Sequence, residues 1–397
     1  MLKHLALIGL LLSCPVIMAA DIPVVHCPDQ PPTIRTLELV EQWRLDGDDE
    51  DAPLFGLITD VIAAPTTNDL YMLDRQMSQV LVFTPDGELL EILGREGEGP
   101  GEFNNPSSLI LCDNGDIAVR MGWPAKLVML NPDGTPAGEW SPGNNLVLGQ
   151  IQEVPGGWLA YTQANDFTDY NGKSYTSKLV IARFDTEGTS LKEYRTAEQT
   201  HITDPQTHDE RHPFFPSPWC VTVNDHILLS SARDEFRLEV LDLEGQTVRI
   251  IERDFSPYRR TEEDKDEMRD GQRMYMNGVR QEIVFHLLDT EPAIRWIKGL
   301  DDGRFAVGTC YSRRDLPEGV VIRYDLHAHD GALLEEVRIT GDCDLEHDSI
   351  QLLHDGRAVV LRNYHSASRS TMGLIEEGDL TRDDDTFSVI VCDLVER

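Results

Sequence analysis

The stretch DLYMLDRQMSQVLVFTPDGELLEILG, residues 69–94, decides the fold. Residues 70–73 form an apolar run, followed by a polar break and a second apolar run at 80–83. A Pro85-Asp86-Gly87 turn then leads to a third run at 89–93. Runs this short, separated by turn residues, are strands of an antiparallel hairpin meander. The next segment, GDIAVRMGWPAKLVMLNPDGTPAGEW, repeats the pattern, and the turn glycines Gly87 and Gly134 lie 47 residues apart. A period of that size marks a repeat architecture.

The turn recurs as Glu187-Gly188, Glu244-Gly245 and Asp330-Gly331, each after an apolar strand. A second class of turn precedes the strands DIAV, WLAY, HILLS, RFAVG and RAVVL. Six units result, at about 56–93, 103–140, 146–195, 216–253, 292–339 and 347–395. The last unit ends after its third strand, TFSVIVCDL. The missing fourth strand matches LELVEQWRL at 37–45, which resembles the outer strand LLEIL of the first unit. The expected fold is all-β: a single six-bladed propeller spanning 21–397, with four-stranded antiparallel blades and a last blade completed by the N-terminal strand. Closure of that kind removes exposed sheet edges.

The segment GREGEGPGEFNNPSSL, residues 94–109, carries a family resemblance that extends over about 60–135. It resembles the junction between NHL repeats. Met77 and Gln79 stand where such repeats usually carry Asn and Arg, so the chain is a divergent example. The whole resembles exported bacterial six-bladed propellers of the NHL/TolB-like type. The resemblance implies a fold and leaves the function open. Some six-bladed propellers are calcium-dependent lactonases or zinc-dependent peptide-amidating lyases, but their motifs are not visible here.

Residues 1–20 read as a secretory signal, with Lys3 and His4 ahead of a short apolar run and Ala19-Ala20 at the cleavage position. Leu11-Leu12-Ser13-Cys14 is similar to a lipobox but departs from it at Leu12 and Pro15, so a lipid anchor at Cys14 is the lesser alternative. No later segment is long and apolar enough to span a bilayer. A soluble exported monomer in the periplasm or at the cell surface is expected. The net charge of -35 would repel a phosphate backbone, so no nucleic-acid partner is expected. Two disulfides are expected, one between Cys27 and Cys392 and one between Cys310 and Cys343. Acidic runs at 48–51 and 383–385 read as solvated loops.

The long insertions fall on one face of the ring, at 163–177, 196–217, 254–291 and 363–385. Within 254–291, Thr261 followed by Glu262-Glu263-Asp264 signals a helix start, and one or two helices broken at Gly271 or Gly278 are expected. That helical insertion, about 256–290 between blades 4 and 5, would cross the mouth as a lid or pack on the rim. Arg75, Arg120, Arg233, Arg313 and Arg362 each follow the second strand of a blade. They would form a ring suited to carboxylate or phosphate, or else pair with neighbouring acids such as Asp74, Asp234 and Asp315. Trp123, Tyr311 and Tyr364 share those loops and would stack on a ligand or pack between blades. His201, His208 and His212 show no zinc spacing, and no metal site is expected. The leading expectation is a non-catalytic binding or scaffold propeller that engages a peptide, protein or anionic saccharide, with no cofactor. The alternative is a metal-dependent hydrolase or lyase with its site, and a Ca2+ ion, on the axis.

Overall fold

The computed structural model describes residues 22–49, 52–212, 214–215, 217–271, 274–276, 279–281, 283–371 and 386–397. The signal segment, Cys14 and the acidic run 383–385 lie outside them. Among the described residues, no helix is long and apolar enough to cross a membrane.

Blade 1 is the meander Ile58–Ala63, Leu70–Asp74, Gln79–Phe83 and Leu89–Leu93. The turn predicted at 85–87 forms: Gly87 has φ +91°, its amide donates to Thr84 O at 3.1 Å, and a side chain there would strike Trp43. Blade 2 repeats this scheme from Ser108–Leu111 to Pro136–Trp140. Blade 3 is longer, with strands up to Ser190–Ile202. Blades 4, 5 and 6 begin with the inner strands Trp219–Val221, Ile294–Gly299 and Ser349–Leu352.

The core is divided into six apolar clusters, and each lies between two neighbouring blades. Met72 and Phe83 of blade 1 pack with Val359 and Val389 of blade 6. Val80 packs with Ile117 across seam 1/2, and Trp140 with Trp158 across 2/3. Leu159 meets Trp219 across 3/4, Phe236 meets Phe305 across 4/5, and Val337 meets Ile390 across 5/6. Six seams that return to their start make a closed six-bladed ring. Sheets buried on both faces explain why the middle strands read as continuous apolar runs, whereas the outer strand Leu89–Leu93 is mostly exposed.

The closing strand is the one the sequence indicates. Ile34–Asp46 pairs antiparallel with Ser388–Glu396, from Leu37↔Glu396 to Asp46↔Ser388. Trp43 adds a hydrogen bond from its indole N–H to Pro85 O of blade 1 at 2.8 Å. The same segment does more than close one blade. Val24–His26 pairs parallel with the outer strand of blade 4, and residues 34–38 pair parallel with the outer strand of blade 5. One N-terminal strap therefore crosses three consecutive blades.

Of the one or two helices expected in the insertion between blades 4 and 5, the described residues hold one, α1 (Glu262–Gly271). It is followed by the short antiparallel pair Met274–Met276 and Val279–Gln281. The expected disulfides need correction, since all six described cysteines are free. Cys27 lies in seam 4/5, with its thiol donating to Gly331 O at 3.4 Å, while Cys392 lies in seam 5/6. Cys310 accepts from the Tyr258 amide at 3.3 Å, away from Cys343. The strap carries Cys27 past blade 4 before it reaches blade 6, which separates it from Cys392.

Candidate functional site

Inner strands of different blades meet only at the ring axis. A cavity of about 420 Å³ is lined there by Ser108 of blade 2, Gln150 and Gln152 of blade 3, Cys220 of blade 4 and Lys298 of blade 5, with Arg120 beside Ser108. Polar side chains on the inner strands, together with Arg120 on the second strand of blade 2, stitch five of the six seams. Asp60 accepts from the Leu109 amide at 2.8 Å, across seam 1/2. Arg120 donates to Leu148 O at 2.7 Å across 2/3, and also to Ser108 Oγ at 2.7 Å. Gln150 donates to Trp219 O at 2.8 Å, and Gln152 accepts from the Val221 amide at 2.7 Å, across 3/4. Lys298 donates to Leu352 O across 5/6. Gln351 accepts from the Val61 amide at 2.9 Å and donates to Thr59 O at 3.0 Å across 6/1.

Three of these groups form an electrostatic unit. Asp60, Arg120 and Lys298 lie deep in the molecule yet keep accessible surface, as groups lining a channel do. Burial raises the Asp60 carboxyl above its ordinary value, against the Leu109 amide and the charges of Lys298 and Arg120. Burial lowers the Arg120 guanidinium and the Lys298 ammonium, while Asp60 favours their charged forms. Each cation spends only part of its donor capacity on its stitch. Among the described residues, the cavity wall itself has no carboxylate or imidazole.

The expected arginine ring divides into two groups. Arg233 is bound to Asp234 at 2.8 Å and to Thr290 O at 2.8 Å, and Arg362 to Asp342 at 3.1 Å and Asp348 at 3.4 Å. These two follow the ion-pair alternative. Among the described residues, Arg75, Arg120 and Arg313 form no hydrogen bond or ion pair with a carboxylate. Arg75 donates to Asn105 Oδ1 at 2.5 Å, because Asp74 is already occupied by the amides of Gly56, Gln76 and Met77. Arg313 has no hydrogen-bond or ion-pair partner among the described residues. Burial lowers its guanidinium, and the nearby Arg295 adds to that.

A second helix, α2 (Tyr364–Thr371), stands beside these groups and was missed in the sequence. Its segment YHSASRST has no apolar periodicity. Tyr364 packs on seam 6/1, where burial raises its hydroxyl, Arg75 opposes that and Asp60 adds to it. On the same helix, burial and the charges of Arg313 and Arg369 lower the His365 imidazole.

Tyr311 is a packing anchor. Its hydroxyl donates to Ser256 O at 3.0 Å, and its ring meets Phe255 edge-on. Trp123 is 62% exposed. Of the three histidines of 196–217, His201 stacks on Tyr175 within reach of the charge of His212, and His208 lies against Phe285. Among the described residues, the one cluster with metal-ligand spacing is Asp344, Glu346 and His347, at the surface.

The insertion layer is held by ion pairs. Glu210 is gripped by both terminal nitrogens of Arg260, at 2.5 and 3.1 Å, and by the Leu288 amide at 2.9 Å. Asp264 and Thr261 form a reciprocal cap at the start of α1, and Arg314 ties Asp264 to Glu291. The helix is thus seated against blade 5.

The axial residues were missed, although the sequence carries their signal. Asp60 in ITDVIA, the two glutamines in LVLGQIQEV, Lys298 in IRWIKG and Gln351 in SIQL are polar residues inside inner strands. In a strand packed on both faces, such a residue points to the one wet place available, the axis.

No curated protein sequence matches the chain. Among solved structures, it is similar to a candidate exported protein of Bacteroides fragilis NCTC 9343, at 13% identity over 94% of this chain and 98% of that one, with TM-score 0.48. It is similar to a DUF4221 family member of Bacteroides vulgatus at 10% identity over 91% and 99%, with TM-score 0.46. Virginiamycin B lyase of Staphylococcus aureus matches at 10% identity over 88% and 98%, with TM-score 0.39. Residues 50–216 match the family model described as DUF5128, 6-bladed beta-propeller, in keeping with the six blades and six seams traced above.

Proposed function

We propose that the chain is a non-catalytic binding propeller, exported to the periplasm or cell surface, that takes an anionic group of a peptide, protein or saccharide at its axis. The observation that supports this is the presence of Arg120 and Lys298 in one axial cavity whose wall has no carboxylate among the described residues, in a chain of net charge -35. Partly desolvated cations attract an anion more strongly than surface ones do, and a guanidinium matches carboxylate or phosphate with paired donors. Arg313 stands ready on the insertion-bearing face. The NHL/TolB-like type of the repeats and the removal of residues 1–20 belong to the same reading.

Calorimetric titration with inorganic phosphate and with galacturonate tests it, comparing the wild type with the double variant Lys298→Gln, Arg313→Ala. Binding that weakens about tenfold in the variant, and weakens with added salt, is expected. Equal affinity in the two proteins, or no heat of binding in either, removes the proposal. Purified protein carrying about one Ca²⁺ or Zn²⁺ per chain would instead favour a metal-dependent hydrolase or lyase.

A further inference from the structure

Outside the axis, the loops between blades 2 and 3 enclose a second cavity of about 590 Å³. Trp123 stands at its edge, on the loop after the strand that carries Arg120. The indole is 62% exposed, and its N–H has no partner among the described residues. A large aromatic face left in water is costly, and it is unusual in a chain whose other five tryptophans are engaged, Trp296 with Tyr324 at 5.7 Å. Trp140 and Trp158 are buried together at 5.9 Å, Trp219 is 1% exposed, and Trp43 is bonded to Pro85.

The rest of the cavity has a definite chemistry. Its floor is the buried pair Ala125 and Trp140. On one side, Lys126 and Glu139 neutralise each other at 3.0 Å, so the wall offers polar atoms without net charge. Asn144 and Asn145 also line the cavity; their side-chain amides are free of partners among the described residues, and each presents both a donor and an acceptor. Ser141 and Gly143 hold this loop in place through the Ser141 hydroxyl, which donates to Ala125 O at 2.7 Å and accepts from the Gly143 amide at 3.2 Å.

An aromatic platform, two free amides and an internally neutralised ion pair suit a ligand with one apolar face and a belt of hydroxyls. We infer that this cavity is a binding subsite for a neutral pyranose ring, which stacks on Trp123 and hydrogen-bonds to Asn144 and Asn145. An anion gains nothing here, because Lys126 is already paired. The subsite uses different residues from the axial cavity and stands whether or not the axial proposal does.

The test is calorimetric titration with four neutral hexasaccharides: cellohexaose, maltohexaose, mannohexaose and a β-1,4-galactohexaose. At least one binds the wild type. Trp123→Ala weakens that binding by about tenfold or more, and Trp123→Phe, which keeps an aromatic face, stays within about threefold. Asn144→Ala weakens it by a smaller factor. Trp123 is exposed, so the melting temperature of each variant matches the wild type, and phosphate titration at the axis is unchanged. No binding of any of the four sugars by the wild type, or equal affinity in wild type and Trp123→Ala, overturns the subsite.

Discussion

Arg233 and Arg313 occupy equivalent places, just after the second strands of blades 4 and 5, in opposite electrostatic settings. Arg233 is enclosed by the insertion layer, with Asp234, Thr290 and, at 3.7 Å, Glu210 around it. Arg313 has no such company. The layer around Arg233 also contains Arg260 and Arg314, each neutralised by acids from another segment. The axial cavity contains Arg120 and Lys298, which hydrogen-bond to carbonyls and to the Ser108 hydroxyl while the nearby Asp60 favours their charged forms, and Arg313 on the loops beyond has no hydrogen-bond or ion-pair partner among the described residues. The same cationic chemistry fastens loops in one region and is left available in the other. In a chain with 70 acidic and 35 basic residues, a cation hydrogen-bonded to no acid is the rarer state, and this contrast singles out the axis.

The sharpest way to break the comparison is Arg260→Ala. It leaves Glu210 largely buried without its main partner, and a loss of about 3–5 kcal/mol in urea unfolding is expected. A loss below about 1 kcal/mol would mean that the layer is not held by this pair. Arg120→Ala should cost less, about 1–3 kcal/mol, since it removes a hydrogen bond across seam 2/3 but strands no carboxylate in an ion pair.

Acid should affect the two regions differently. Burial raises the Glu210 carboxyl, but the bonds from Arg260 and Leu288 and the charges of Arg260 and Arg233 outweigh it and leave it below the ordinary value. Burial also raises Asp264, but Thr261, Tyr258 and Arg314 bring it down to about 2. Both carboxyls are depressed on folding. The stability they add is therefore complete above about pH 4.5 and is lost as pH falls through their folded values. The protection of the amides of 254–291 against hydrogen exchange, taken relative to the intrinsic rate at each pH, should fall between pH 4.5 and about 2, ahead of that of the strands of blades 1 and 2. A uniform fall in protection over the chain would contradict a separately fastened layer. The smallest effect belongs to Arg313→Ala, with a stability change within about 0.5 kcal/mol, measured in the same urea titration. A larger loss would show that Arg313 is structural after all.

The blade count and the closing strand were legible because both depend on pattern. A strand packed on two faces is apolar throughout, and a missing outer strand has a recognisable amphipathic twin at 37–45. The parallel pairings of Val24–His26 and 34–38 were not legible, because an outer edge is joined through backbone groups that any sequence supplies. The arginine positions were visible, but their partners were not. Whether Asp234 or Asn105 faces an arginine depends on loop paths that no local spacing encodes. The axial glutamines and Lys298 were legible in principle, as polar interruptions of inner strands.

The three-blade strap has a kinetic consequence. Its pairing of Leu37 with Glu396 joins residues from the two ends of the chain, so it is among the most sequence-distant contacts in the molecule. Five blades and most of a sixth must be in place before the strap has a complete edge to lie on, so ring closure comes late in folding. Once formed, the strap must detach from blades 6, 5 and 4 before the ring can spread. A proteolytic nick within 22–46 would remove that barrier, shortening the native lifetime far more than it changes the contacts of any one blade.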